Sequence, residues 1–423
     1  MMKKILIAAI VIVIIFIALT YISVSETKKT FDTCTVLSAA DMNQHDFKKY
    51  DSVLVAANTI YEASDFKKIM QGEQYRDAWA QPVMVPIVYL DTLKGGLKLI
   101  EEGGGKQTHS LELEDSLGIR YTLRSLSKDA SKLIPKMAKN LGLENIVVDG
   151  ISAQHPYAAL VVAELSREVN ILHTHPTLYF VPKQKILSGI NDKYGNRLYF
   201  LEYESEGEKN WTDLKHIDEL LDTEDLQELK IEKGPLLKID ENQLIRCRLF
   251  DLIIGDWDRH PKQWGWAIQK NGTELLAIPI PTDRDNAFFN QNGILPNLIT
   301  NNQTLPKIQN FEAEIDYIQG LVIDFDVYFL RNSKLEQFTN EAKYLQRQLD
   351  DKTINASFNV WPKSIDSLNG PAIRKIIKSR RDSIVVLAKR FYNTMMQSPQ
   401  KNIILIGSEE LELPENLSQC FCD

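Results

Sequence analysis

Cysteine is scarce in this chain: Cys34, Cys247, Cys420 and Cys422 stand among 423 residues, too few for a disulfide scaffold. An oxidising compartment would allow Cys34 to pair with Cys420 or Cys422. Cys247 falls in an apolar helical pattern and reads as core. Two thiols alone, as in Cys420-Phe421-Cys422, make a weak metal site. No lipobox-type cysteine follows the apolar N-terminal segment, so a lipid anchor is not indicated. Strongly basic stretches are missing beyond the N-terminus, and the net charge is −8 with a pI near 5.6; nucleic acid is therefore not an expected partner. Internal repeats and low-complexity tracts are absent too. What remains, 44% hydrophobic and 25% charged, is ordinary globular composition over a length that suits one large domain or two of common size.

The N-terminus departs from that composition. Met1-Met2-Lys3-Lys4 leads into an apolar run from Ile5 to Ile22 interrupted only by Thr20 and Tyr21. That length is near the minimum for a bilayer-spanning helix. Lys3 and Lys4 would hold the start in the cytoplasm and place the rest outside it, periplasmic or luminal, although Lys28 and Lys29 blunt the charge bias. The small residues Ser23-Val24-Ser25 keep a cleaved signal peptide, and so a secreted product, open as the alternative.

The remaining order of the chain reads as α+β. Residues 26–50 form a polar linker. From 51 to 205, strands are expected at Val53–Ala56, Leu97–Ile100, Leu111–Glu114, Arg120–Lys128, Leu178–Pro182 and Arg197–Tyr203, with helices at Ser64–Met70, Ala130–Leu141 and Ile151–Val169. The mixture at Tyr75–Val83 reads as a subdomain interface or a substrate contact, and His173-Thr174-His175 as a strand-entry turn or a metal pair. Composition shifts near residue 205. Helices are then expected at Asp213–Leu229, Glu241–Ile254, Leu335–Leu349 and Gly370–Met396, with a surface loop over 290–307. A terminal strand at Asn402–Ile406 falls in a tail spanning 401–423.

Two local patterns carry chemistry. Gly103-Gly104-Gly105-Lys106 joins two strands, and glycines there let backbone amides approach a phosphate. No helix opening with Lys-Ser/Thr follows, so this is not a Walker loop. Lys128 ends the third strand, and Asp149 and Glu164 are candidates to pair with it. The second pattern runs from Phe250 to Phe289. The apolar runs Leu249–Ile254 and Leu275–Ile280 read as strand-like. Each precedes a group of acids: Asp251, Asp256 and Asp258, then Asp283 and Asp285. A turn at Lys270-Asn271-Gly272 would bring both groups to one end of a hairpin, where they repel unless a cation or a proton intervenes.

Ile-Gly-Asp-Trp-Asp258-Arg259-His260 followed by Asp285-Asn286-Ala287-Phe288 resembles the catalytic core of atypical kinases: HipA-type toxin kinases, the secretory-pathway casein kinase family and type II phosphatidylinositol 4-kinases. It is also similar to bacterial domains found beside calcineurin-like phosphoesterases. The resemblance covers roughly residues 95–395. It implies a bilobal protein-kinase-like fold, with a β-rich N-lobe and a mainly helical C-lobe (206–400) after one N-terminal transmembrane helix. It further implies ATP or another nucleotide with Mg²⁺ or Mn²⁺, and phosphoryl transfer to a hydroxyl of a protein, lipid or glycan. Asp258 would be the catalytic base, with Arg259 and His260 bracing its loop. Gly103, Gly104, Gly105, Lys106 and Lys128 would hold the phosphates, and Glu202 would sit at the hinge beside adenine. Asp285 would bind metal, supported by Asp283. Gln263 replaces the Asn that such families often carry five positions after the base, which puts the second metal contact in question. A pseudokinase binding module and a metal-dependent hydrolase are the competing readings.

Overall fold

The computed structural model describes residues 1–26, 34–36, 46–104, 108–132, 134–300 and 305–399. It opens with α1 (Met2–Ser25), exposed along most of its length, with only Thr20, Ser23 and Val24 buried. β1 (Thr35–Val36), β2 (Ser52–Ala56) and β3 (Pro82–Pro86) form a small antiparallel sheet. Between β2 and β3 lie α2 (Asp65–Gln71) and α3 (Arg76–Ala80). The ends of α2 follow from its sequence: Ser64 Oγ accepts from Lys67 N at 3.2 Å, and Gly72 stops the helix.

A five-stranded antiparallel sheet follows, in the order β4 (Lys98–Gly103), β5 (Ser110–Glu114), β6 (Arg120–Ser125), β8 (Arg197–Tyr203), β7 (Thr177–Val181). The connection from β6 to β7 carries α4 (Lys136–Asn140), α5 (Glu144–Gly150) and α6 (Ala158–Glu168); the short α7 (Asn191–Tyr194) joins β7 to β8. Alternation gives this sheet two faces. Leu111, Leu113, Tyr121, Leu123, Tyr199 and Leu201 pack on one side as an apolar cluster. Ser110, Arg124 and Phe200 are directly opposite one another in register and face the other way.

The second half begins with β9 (Ile217–Asp222), α8 (Thr223–Lys233) and β10 (Leu237–Ile239), then the buried α9 (Glu241–Ile254). Asp240 caps α9, its Oδ1 accepting from Gln243 N at 3.0 Å. Gly255 ends it at φ +71, where a Cβ would stand 2.5 Å from the Phe311 ring. β11 (Trp264–Asn271) and β12 (Glu274–Pro281) form a hairpin inside a four-stranded sheet ordered β10-β12-β11-β9. The rest is helical: α10 (Ile294–Ile299), α11 (Asp324–Leu330), α12 (Leu335–Gln348), α13 (Asp351–Ser357) and the long α14 (Lys363–Gln397). Trp264 stacks on Phe325 at 5.0 Å, and Trp266 meets Phe329 at 5.0 Å, locking the hairpin to α11. This is the α+β, two-lobed layout, strand-rich then helical, that the sequence implies.

Several elements differ from expectation. Leu249–Ile254 is the end of a helix, because this end of α9 is buried on every side and its apolar residues run consecutively, broken only by the ion-paired Asp251. The two acid groups still meet at one end, since the start of β11 pairs with the end of β12 through Trp264 and Pro281. The helix expected over Asp213–Leu229 is β9 plus α8; pairing with β11 overrides the local pattern. Ile151–Val169 is a short 3-10 turn at Ile151–Ala153, then α6, with His155-Pro156 between them. The third strand stops at Ser125 rather than Lys128. Pro135 divides Ala130–Leu141 into a 3-10 turn and α4, and 290–307 contains α10. The strand expected at Asn402–Ile406 lies outside the described residues, as do Cys420 and Cys422 and any pairing with Cys34.

Phe325 is buried and stacks between Trp264 and Phe329. Phe325→Ala should cost about 3–5 kcal/mol, read as a lower urea midpoint.

Candidate active site

The cleft lies between the polar face of the five-stranded sheet and the segment that leaves β12. Its lining includes Arg124, Phe200, Glu202, Asp283 and Asp285. Two contacts between the lobes define it. The Lys128 ammonium pairs with Asp285 Oδ2, and Arg124 Nη1 donates to Asp283 Oδ2 at 3.2 Å. The first joins two residues singled out from sequence. Arg124 was not foreseen; its signal was its position on β6, two residues beyond Thr122 and on the same face as Ser110 and Phe200. Asp149 and Glu164 are not partners of Lys128. Asp149 is buried with Lys67 (2.8 Å) and Arg76, while Glu164 pairs with Arg167 on its own helix. Lys128 follows the strand and reaches across the cleft instead.

Asp285 is held from two sides. Asn286 Nδ2 donates to its Oδ1 at 3.1 Å, and Gln154 Nε2 fixes Asn286 Oδ1 at 2.7 Å. Burial, then repulsion from Asp283, raises the Asp285 carboxyl to about 6, against the pull of Lys128. Asp283 goes the other way. Burial pushes its carboxyl up, but Arg124 and Lys128 together hold it below the usual carboxylate range. Between them, Arg284 turns into the core, placing Nη2 2.9 Å from Asp251 Oδ1 and donating from Nη1 to Ser166 Oγ at 3.0 Å. The tripeptide thus alternates: two acids to the cleft, one cation to the interior. The left-handed backbone at Asp283 (φ +51) starts that alternation.

The loop after α9 supplies the other group. Asp258 is half-buried, with its backbone N–H donating to Asp256 Oδ1 at 3.3 Å. His260, two residues on, is exposed. Arg259 is almost wholly enclosed. It donates to Thr282 O at 2.7 Å and Gln263 O at 3.0 Å, and lies over the Trp264 ring at 4.7 Å. It therefore ties the Asp258 loop to the chain leaving β12 and acts as a positioning residue. Gln263 is buried, and its amide oxygen accepts from Arg259 at 3.4 Å. Burial raises the Asp256 carboxyl well above its ordinary value.

Gly103 is opposite Ser110, and Ser110 is opposite Arg124. The glycine turn therefore starts two strands, about 10 Å, from the Arg124–Asp283 contact. Gly104 follows with φ +132; Gly105 and Lys106 lie outside the described residues. Glu202 is buried and accepts from Thr174 Oγ1 at 2.5 Å, and burial raises its carboxyl. Tyr203 N already donates to Thr174 O at 2.8 Å and Glu204 N to Arg120 O at 3.0 Å. A base bound here would thus meet the side chains of Phe200 and Glu202 before any backbone N–H of that strand. The His173 and His175 rings meet at 4.1 Å, tilted by 45°, just before β7, at the strand entry. Burial and then His175 lower His173 to about 4.

Asp283 Oδ1 is buried and has no hydrogen-bond partner. An unpaired carboxylate oxygen beside Asp285 fits a divalent cation. These two carboxylates are the pair the cleft offers; no group of three or more His, Cys, Asp or Glu is gathered among the described residues.

The raised Asp285 value has a definite sign. The folded chain holds that proton more tightly than the unfolded chain, so Asp285 adds stability below about pH 4. That contribution is lost as pH rises through about 6. In paired urea denaturations, the stability of the native protein relative to Asp285→Asn should fall between pH 4 and pH 7.

No family model and no curated protein matches the chain. Among solved structures, it is similar to the Helicobacter pylori proinflammatory kinase CtkA, at 13% identity and a TM-score of 0.34, over 71% of this chain and 96% of that one. It is also similar to the Shewanella oneidensis toxin–antitoxin structure of HipA with HipB and operator DNA, at 9% identity and a TM-score of 0.33, over 74% and 77% of the two chains.

Proposed function

We propose that this is a membrane-anchored, atypical kinase-like protein that transfers a phosphoryl group from a nucleotide to a hydroxyl of a protein, lipid or glycan. The observation that carries the reading is the meeting of Lys128 and Arg124 with Asp285 and Asp283 across one cleft. Phosphoryl transfer needs cations for the phosphates, carboxylates for a divalent metal, and a base aimed at the acceptor. Lys128 and Arg124 are the cations. Asp285 and the unpaired oxygen of Asp283 would hold Mg²⁺ or Mn²⁺, which supplies charge neutralisation to the phosphates when bound. Asp258 orients the acceptor hydroxyl and takes its proton. Gly103 enters the glycine turn two strands from Arg124, which supports a phosphate-side role for that turn.

Lys128 and Asp285 satisfy each other in the free protein. Nucleotide and metal together let each exchange this partner for an opposite charge of its own, so the two ligands should bind cooperatively. The apolar helix α1 supports the membrane part of the reading, with the lobes outside the cytoplasm and a cleaved leader as the alternative. One observation favours the second reading, a nucleotide-binding pseudokinase: Gln263, at the position of a second metal ligand, is spent on Arg259.

Thermal unfolding of the purified chain should shift upward with ATP plus Mg²⁺ or Mn²⁺, by about 2.7 kcal/mol of stability at a hundredfold excess over Kd. Asp285→Ala should remove that shift. No shift with any nucleotide would refute the proposal. With a phosphate-accepting substrate in hand, Asp258→Ala should lower kcat about 10²–10⁴-fold while leaving the nucleotide shift intact. A shift without transfer in the native protein would select the pseudokinase.

A further inference from the structure

We infer that the protein surface around the foot of α1 is a second membrane contact, resting in the headgroup layer of an anionic phospholipid bilayer. The inference builds on the membrane-spanning reading of α1 and goes beyond it: the lobes lie against the bilayer in a fixed pose and are not tethered at a distance.

The first observation is how α1 ends. Its last turn packs directly against the folded domain. Tyr21 OH donates to Leu141 O at 2.8 Å. Ser23 is fully buried and its Oγ accepts from Gln71 Nε2 at 3.3 Å. Asn145 Nδ2 reaches Val24 O at 3.4 Å, and Ser64 Oγ donates to the Glu26 carboxylate at 2.7 Å. These contacts come from α2, its N-cap, α5 and the end of α4, and they seize the last turn of the apolar helix.

The second observation is their order along α1. At about 1.5 Å per residue, the Tyr21 contact lies nearest the apolar span and the Glu26 contact furthest. The start of α2 meets Glu26 and its end meets Ser23, so the end of α2 tips toward the bilayer. Gly72 follows, and a Cβ there would lie 2.2 Å from Asn292 O; one on Gly293 would lie 2.3 Å from Gly72 N. That backbone-to-backbone seat places the start of α10 against the end of α2.

The third observation is what these pieces expose. Ile294 and Leu298, one helical turn apart on α10, are 44% and 61% exposed. Met137 on α4 and Leu141, which touches Tyr21, are 72% and 45% exposed, and Ile69 on α2 is 61% exposed. Lys136 and Lys139, both exposed, flank Met137. The Tyr21 contact fixes Leu141 at the level where a spanning helix leaves the hydrocarbon, and apolar side chains flanked by lysines there have the chemistry of an interfacial segment on anionic lipid. Tyr21 at the same level is the residue type that bilayer interfaces favour.

The test uses the full chain with Cys420→Ser and Cys422→Ser, leaving the buried Cys34 and Cys247. Single substitutions Ile12→Cys, Met137→Cys, Leu298→Cys and Leu117→Cys carry an environment-sensitive fluorophore. The protein is reconstituted into phosphatidylcholine nanodiscs with or without phosphatidylserine, and quenching by headgroup-labelled lipid is read. Met137 and Leu298 should be quenched at least about twofold more than Leu117. Phosphatidylserine should increase the difference, and Lys136→Gln with Lys139→Gln should remove that increase. Ile12 shielded in the bilayer with Met137 and Leu298 as wet as Leu117 would overturn the inference and leave the anchor standing. Ile12 in water would overturn both. Shielding of Met137 and Leu298 that persists in detergent and depends on protein concentration would assign the patch to a second copy of the chain, overturning the bilayer as its occupant.

Discussion

Asp251, buried near the end of α9, is the carboxylate on which the geometry of the cleft depends. Three guanidinium groups converge on it: Arg248 at 3.0 Å, Arg284 at 2.9 Å and Arg259 at 3.4 Å. Asp326 takes Arg248 on its other side at 2.6 Å, and Asp256 faces Arg259 at 3.4 Å. Buried charges are costly unless paired, so removing one member leaves the others uncompensated. Arg259 belongs to the loop of Asp258, and Arg284 sits between Asp283 and Asp285. A single acid in the core therefore sets the separation of the base candidate from the metal candidates. Arg284 extends the same network to Ser166 on α6, and so to the first half of the chain.

The cleft above this network is electrostatically divided. Asp283 sits under Arg124 and keeps its negative charge, while Asp285, deeper in repulsion, holds its proton more strongly despite Lys128. Two carboxylates two residues apart have different affinities for protons: burial and the Asp283 charge raise Asp285, while Arg124 and Lys128 outweigh burial at Asp283. The strand fixes Arg124 in place. Lys128 lies beyond the strand end, where Ser127 Oγ meets Ala57 O at 3.3 Å, and its flexible stem spans the gap.

Much of this was legible in the sequence, and the reasons are local. Apolar runs followed by clustered acids marked where β12 would release Asp283 and Asp285. Ser64 with Gly72 bounded α2, and the uniformly aliphatic start announced α1. What sequence hid depends on contacts distant along the chain. Nothing near Lys128 signals that its partner is Asp285, or that Asp149 is taken by Lys67 and Arg76. Arg124 looks like any polar strand residue until Asp283 arrives opposite it. A short apolar run such as Leu249–Ile254 has no periodicity to separate a buried helix from a buried strand. Ile217–Asp222 is made a strand by β11, not by its own preference.

One apolar core runs without interruption from Val53 and Trp79 through Val161, Phe180 and Phe200 to Leu249, Phe329 and Phe391. The two halves of the chain are thus not separate bodies on a hinge. Bringing the sheet nearer to the Asp283 segment would require sliding close-packed side chains past one another, which dense interiors resist. The cleft is a slot of preset width. Any ligand that entered it would meet walls already in place, with little domain closure to drive and little apolar surface newly buried by closure.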